Sequence, residues 1–129
     1  CLDRPDRPSV TETLSLVSNW KKSAPLFGEY LAWSNMSCSY WEVSAKNAPH
    51  PIAATGSAKI LLVGTTHDPA TPYAWAQHLS QQLDNAELLT LDGDGHTAYM
   101  QGSACIDREV DRYFLTGDTS SEVTCRDQP

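Results

Sequence analysis

Two stretches of this chain bring together side chains that can hold or pass a proton. The first, "HDPATP" at 67–72, ends an apolar run with an imidazole and a carboxylate. The second, "DGDGHTAY" at 92–99, sets a histidine among glycines and two aspartates. A carboxylate that orients an imidazole fixes its tautomer and stabilises the imidazolium formed when the ring takes a proton, the service that acid and base perform in a nucleophilic triad. Asp68 and His96 are the candidate pair. Each has a plainer reading alone: an aspartate before a proline commonly forms an Asx-turn, and a lone loop histidine is commonly a solvated surface residue. His67 is a rival base, but neighbours in an extended segment point to opposite sides, which makes it a rim residue. Asp92 and Asp94 are rival acids, and Asp94, close before His96, is read as shaping the glycine-rich turn. His50 and His78 are read as surface residues.

His67, Asp68, Asp92, Asp94 and His96 together could also surround a divalent ion, since carboxylate and imidazole suit one. The spacing does not support it. No H-E-x-x-H occurs, and read as an EF-hand with Gly95 at its sixth position the loop would run from Thr90 to Gln101, without the first and last carboxylates. No metal and no cofactor is expected.

Whether Asp68 can reach His96 depends on the elements that carry them. "AKILLVG" (58–64) holds a short continuous apolar run, as in a parallel strand covered on both faces. "TPYAWAQHLSQQL" follows as a helix, with Thr71 expected at the N-cap, Pro72 at the first helical position, and Trp75, Leu79 and Leu83 as the buried stripe. A turn around Asn85 leads to a second strand, 86–93. The last helix spans 103–115, N-capped by Ser103 and ended by Gly117, with Ile106, Val110, Tyr113 and Phe114 inward; a polar tail runs to Pro129. Upstream, apolar residues at 10, 14, 17, 20 and 24 mark a helical stripe. Pro25 interrupts it, and "LFGEYLAW" makes a second short helix. Residues 34–57 read as irregular connection, with Tyr40 and Trp41 covering apolar surface. The expected division is 1–57, helical and irregular, and 58–129, carrying the strands.

Strand, helix, strand, helix with apolar strands means α/β with parallel strands and right-handed crossovers. Ligands in such sheets bind beyond the carboxyl ends of the strands, where the loops bearing Asp68 and His96 both lie if the strands are neighbours. Two parallel strands cannot bury themselves in water. The strand at 58–64 reads as central, so the rest of the sheet is expected upstream of Cys1, in polypeptide outside this sequence.

Composition narrows the class. Forty per cent of the 129 residues are apolar and 19% charged, as in a folded globular domain. A net charge of −7 and only nine scattered basic residues exclude a phosphate-backbone partner, so no nucleic acid is expected. No apolar run approaches the roughly 18 residues of a membrane span. The four cysteines at 1, 38, 105 and 125 form no C-x-x-C pair, and an even count suits two disulfides in an oxidising compartment. Three pairings are possible, and sequence locality favours Cys1–Cys38 with Cys105–Cys125.

The runs "LLVGTTHDPATPYAWAQHLSQQL", "LLTLDGDGHTAYMQGSACID" and "VDRYFLTGD" resemble the C-terminal, TAP-like end of α/β-hydrolases of the secreted tripeptidyl aminopeptidase family. "DPATP" and "GHTAY" match that family's acid and histidine loops, and Cys105 with Cys125 matches its C-terminal bridge. The likeness is close over 58–125 and loose over 1–57. It implies the C-terminal part of an α/β-hydrolase fold, with Asp68 as triad acid and His96 as general base. It further implies a bacterial protein, secreted or associated with the cell envelope, and a peptide substrate cut near its free N-terminus.

One part of the triad is missing. The nucleophile of this fold precedes the acid, in G-x-S-x-G, and no such motif occurs here. Ser57 precedes Asp68 but lies at the wrong end of its strand, some ~20 Å from the acid at ~3.3 Å per residue. Ser103 follows the histidine and caps a helix. The serine is therefore expected from upstream polypeptide, and this chain alone is expected to be inactive. The alternative is a binding or interaction module that keeps the acid and histidine as ancestry.

Overall fold

The computed structural model describes residues 1–3, 5–120 and 123–126, apart from the Asn35 side chain. Residues 121–122 and 127–129 of the expected tail lie outside them. The chain divides into two compact units, Cys1–His50 and Pro51–Pro129.

In the first unit, helix α1 (Val10–Ser23) starts at a reciprocal capping box: Ser9 accepts from the Glu12 N–H, and the Glu12 carboxylate accepts from the Ser9 N–H. Helix α2 (Gly28–Ser34) packs beside α1. Gly28 permits the approach, since a Cβ there would strike the Trp20 carbonyl. A 3-10 segment, Asn35–Tyr40, brings Cys38 to Cys1, and the two sulfurs are bonded. The expected α1 stripe is only half right. Val10 and Leu14 are exposed, and the fully buried position is Thr13, whose hydroxyl donates to the Ser9 carbonyl and lies 3.0 Å from the Met36 sulfur. Tyr40 and Trp41, expected to cover apolar surface, are exposed.

The second unit holds a three-stranded parallel sheet in the order β1 (Ile60–His67), β2 (Ala86–Asp94), β3 (Thr124–Arg126). A third strand exists, too short and polar to show as a period. Among the described residues β2 pairs on both edges and β1 on one. Residues 51–57, expected with the first half, are tied to the turn after helix α3 (Tyr73–Gln82): the Asp84 N–H donates to Ala53 O at 2.8 Å, and the Thr55 hydroxyl donates to the Asp84 carboxylate at 2.6 Å.

Alternation along the strands assigns the helices to opposite faces. Leu89 and Leu91 are buried with Ile106 and Val110 of helix α4 (Ala104–Thr116), while Thr90 between them shares a 2.6 Å hydrogen bond with Tyr73 of α3. Helix α4 is N-capped by Ser103 and ends at Gly117 in the left-handed conformation that glycine adopts freely. The Cys105–Cys125 disulfide ties its first turn to β3. Phe114, expected inside, is exposed.

The packed face of α3 also differs from expectation. Trp75 is 62% exposed and Leu79 is exposed, whereas Tyr73 and Ala76 meet the sheet at Gly64. The N-cap position is Pro72, and Thr71 directs its hydroxyl elsewhere. A Cβ on Gly64 would lie 2.9 Å from the Tyr73 ring and 3.0 Å from the Ala76 methyl. Because the ring is tethered to Thr90, it cannot swing aside freely. Gly64→Ala should therefore lower stability by about 1–3 kcal/mol, read as a lower urea midpoint with unchanged slope; an unchanged midpoint would mean that α3 is not seated on β1 as described.

Candidate active site

Strand β1 ends at His67, and Asp68 is the next residue. Its side chain is only 5% exposed, and the surroundings are built to keep it ionised. Oδ1 accepts from the Ala70 and Thr71 N–H groups, both at 2.8 Å, and Oδ2 accepts from the Thr71 hydroxyl at 2.9 Å. This is the Asx-turn that "DPAT" suggests. The same carboxylate faces the His96 ring: Nδ1 lies 3.0 Å from Oδ1 and 2.9 Å from Oδ2. The Thr97 N–H completes the shell at 3.4 Å. The structural and the catalytic readings of Asp68 are thus one arrangement, in which the turn holds the carboxylate that holds the ring.

These donors set the electrostatics. The Thr71 N–H is the largest influence and draws the Asp68 pKa far below the usual carboxylate range, helped by His96, the Ala70 N–H and the Thr71 hydroxyl; burial opposes them and loses. An ionised Asp68 accepts the proton on His96 Nδ1, which leaves Nε2 as the basic nitrogen of the neutral ring. The His96 side chain is 53% exposed, so a group arriving from outside can reach it.

A β-bulge brings the second loop to the first. Pairing runs in step from Ile60↔Ala86 to Thr65↔Leu91, then shifts so that His67 pairs with Asp94. Asp92 and Gly93 together oppose Thr66, whose hydroxyl accepts the Gly93 N–H at 3.0 Å and donates to the Gly93 carbonyl at 3.3 Å. Bulges re-aim the end of a strand, and this one turns the chain toward Asp68 within two residues. The sequence signal is Gly93, a glycine at the end of the strand expected over 86–93.

The bulge also sorts the rival residues. Asp94 bonds His67, Nδ1 to Oδ1 at 2.9 Å, with both side chains well exposed. Asp92 lies 3.5 Å from the Arg126 guanidinium and accepts weakly from Thr66. Of the three aspartates, only Asp68 bonds His96. His50 Nδ1 lies 3.1 Å from the Ala48 carbonyl oxygen, and His78 is exposed. Ser103 caps α4, and Ser57 stands before β1, at the end of the sheet away from Asp68. Among the described residues no group of three His, Cys, Asp or Glu side chains is placed to hold a metal ion, and no helix is long and apolar enough to cross a membrane. Thr71 is the contributor that sequence reasoning missed, because its type and its place before Pro72 suggested a helix cap.

Known proteins share this sequence pattern. A family model described as "TAP-like protein" matches residues 24–125. A Mycobacterium tuberculosis protein named carboxylesterase B is 38% identical over 120 residues, covering 91% of this chain and 23% of its own length. The serine protease Hip1 of the same species is 36% identical over 120 residues, covering 88% of this chain and 23% of its own. A Streptomyces lividans tripeptidyl aminopeptidase is 34% identical over 96 residues, covering 73% of this chain and 18% of its own. The chain thus spans less than a quarter of these curated relatives.

The depressed pKa of Asp68 has a sign that can be tested. As pH falls, an unfolded-state aspartate, with an ordinary value near 3.8, takes its proton before the folded one does. The stabilisation from this carboxylate is then full above that value and is lost as pH drops below it. Relative to its value at about pH 5, the difference in urea midpoint between the parent and Asp68→Asn should shrink as pH falls below about 4. A difference that ignores pH would show that the carboxylate is not held ionised by folding.

Proposed function

This chain belongs to the TAP-like protein family of the α/β-hydrolase superfamily, and on that premise we propose that it is the C-terminal portion of a secreted serine exopeptidase cleaving peptide bonds near free N-termini. The observation that carries the reading is the seating of His96 Nδ1 against both oxygens of Asp68, in a side chain that is half exposed. His96 is the general base and Asp68 its orienting acid. The nucleophilic serine and the oxyanion-binding donors come from polypeptide preceding Cys1. The edge of β1 that pairs with no strand among the described residues supports this, since its backbone N–H and C=O groups can pair with a further strand of the same sheet.

The steps follow from the geometry. Nε2 takes the serine proton as the hydroxyl oxygen attacks the scissile carbonyl, and Asp68 stabilises the resulting imidazolium. The tetrahedral intermediate expels the amine, which leaves with the proton from Nε2, and an acyl-serine remains. Water then gives a proton to Nε2 and attacks the acyl carbonyl, and the serine departs with that proton. The Streptomyces relatives are named tripeptidyl aminopeptidase, and Cys1–Cys38 and Cys105–Cys125 fit an exported protein in an oxidising compartment. Ester cleavage is the second reading, favoured by the relatives named carboxylesterase B; it uses the same residues in the same order.

A fluorophosphonate probe should label the full-length protein and fail to label the present chain; labelling of this chain would place a reactive nucleophile within it. In the full-length protein, His96→Ala or Asp68→Ala should each lower kcat by about 10⁴ on a tripeptidyl amide. If Asp68→Ala keeps kcat within about tenfold, the acid is Asp92 or Asp94 instead. Turnover of a short-chain ester with no measurable turnover of that amide would favour the second reading.

A further inference from the structure

The segment that carries His96 is held from two sides, and the second side has no part in the relay. Residues 96–101 run between Gly95 and Gly102, both with positive φ (121° and 104°). Inside the segment Thr97 and Met100 also adopt positive φ, 66° and 61°, which non-glycine residues accept only when their surroundings enforce it. On the sheet side, the Thr65 hydroxyl donates to Thr97 O at 3.3 Å and Ala98 is buried in the core. On the helix side, Asp107 and Asp111 stand one turn apart on α4. Asp107 Oδ1 accepts the Met100 N–H at 2.7 Å, and Asp111 Oδ1 accepts the Tyr99 hydroxyl at 2.7 Å. The Tyr99 ring also packs at a tilt against Phe114, with centroids 6.3 Å apart.

We propose that Asp107 and Asp111 of α4, through Met100 and Tyr99, form a latch that sets the position of His96 for proton transfer. Both are positioning residues: their oxygens are engaged by the loop and touch neither His96 nor a reacting group. Bonds to an ionised acceptor are the stronger kind, which suits a latch that must hold two left-handed residues in place. Asp111 in turn pushes the Tyr99 hydroxyl pKa up, so the hydroxyl keeps its proton and goes on donating. Losing the latch lets the segment relax toward ordinary φ, and His96, at its start, moves off the Asp68 carboxylate.

The proposal rests on His96 being the base, and its test separates the two. Asp107→Ala, Asp107→Asn, Tyr99→Phe and His96→Ala are made in the full-length protein. Each is assayed for kcat and KM and for the low-field proton resonance of the His96 Nδ1–H. Asp107→Asn keeps an oxygen acceptor for Met100, and Tyr99→Phe removes one hydroxyl while the ring stays on Phe114. The expected result is a fall in kcat of about tenfold or more for Asp107→Ala with KM little changed, recovery to within about threefold in Asp107→Asn, and a smaller fall of about threefold in Tyr99→Phe. The resonance should weaken in step with kcat. Parent-like kcat and resonance in both Asp107→Ala and Tyr99→Phe, beside an inactive His96→Ala, would overturn the latch and leave the relay standing. Should Asp107→Ala fail to fold, Tyr99→Phe alone decides in the same way. Activity surviving in His96→Ala would remove the relay itself.

Discussion

The carboxylate of Asp68 accepts from two parts of the chain that are remote in sequence. Backbone N–H groups of Ala70 and Thr71 fix it from below, and the imidazole of His96 meets it from across the strand tips. Neither contact is incidental to the other. A carboxylate without its turn donors would be free to rotate and easier to protonate, and it would hold the ring less firmly. A histidine without the carboxylate would lose the partner that keeps its proton on Nδ1. With its side chain only 5% exposed, Asp68 depends on hydrogen bonds in place of water.

The rest of the second unit serves to bring those two groups within 3 Å. Parallel pairing of β1 and β2 places both loops at one edge of the sheet, and the bulge opposite Thr66 re-aims the end of β2 just before His96. Gly64 lets α3 sit close, which places the turn at 68–71 directly before that helix. On the other face, α4 buries Ile106 and Val110 against Leu89 and Leu91. The disulfide to Cys125 anchors its first turn to β3. This packing fixes the separation of the two groups, and proton transfer between any two groups is sensitive to displacements of an ångström.

Much of this was legible in the sequence, for reasons that can be traced to residues. The apolar run at 60–63 and the glycine-rich turn after 91 mark two strands with loops at one edge, and Asp68 with His96 follows from that topology. The Ser103 cap and Gly117 stop bound α4 because each meets a specific backbone need. Other features were hidden. Strand β3 has three residues, Thr-Cys-Arg, and its partner β2 defines it more than its own pattern does. The stripe of Trp75 and Leu79 is apolar at helical spacing, yet the face that packs is the one whose small Ala76 and tethered Tyr73 fit over Gly64. Periodicity reports which residues are apolar; which of them find a partner depends on the polypeptide around them. Trp75, Leu79 and Phe114 are exposed, and Thr71, in the place of a helix cap, gives its hydroxyl to the Asp68 carboxylate.

The central claim is that Asp68 acts on catalysis only through His96. A double-mutant cycle in the full-length protein measures this directly, comparing kcat/KM for Asp68→Asn, His96→Ala and the pair. Residues acting as one unit give a double variant about as slow as the slower single variant, because the acid has nothing left to orient once the ring is gone. Penalties that instead add in free energy across the two sites would mean independent roles, and would contradict the relay.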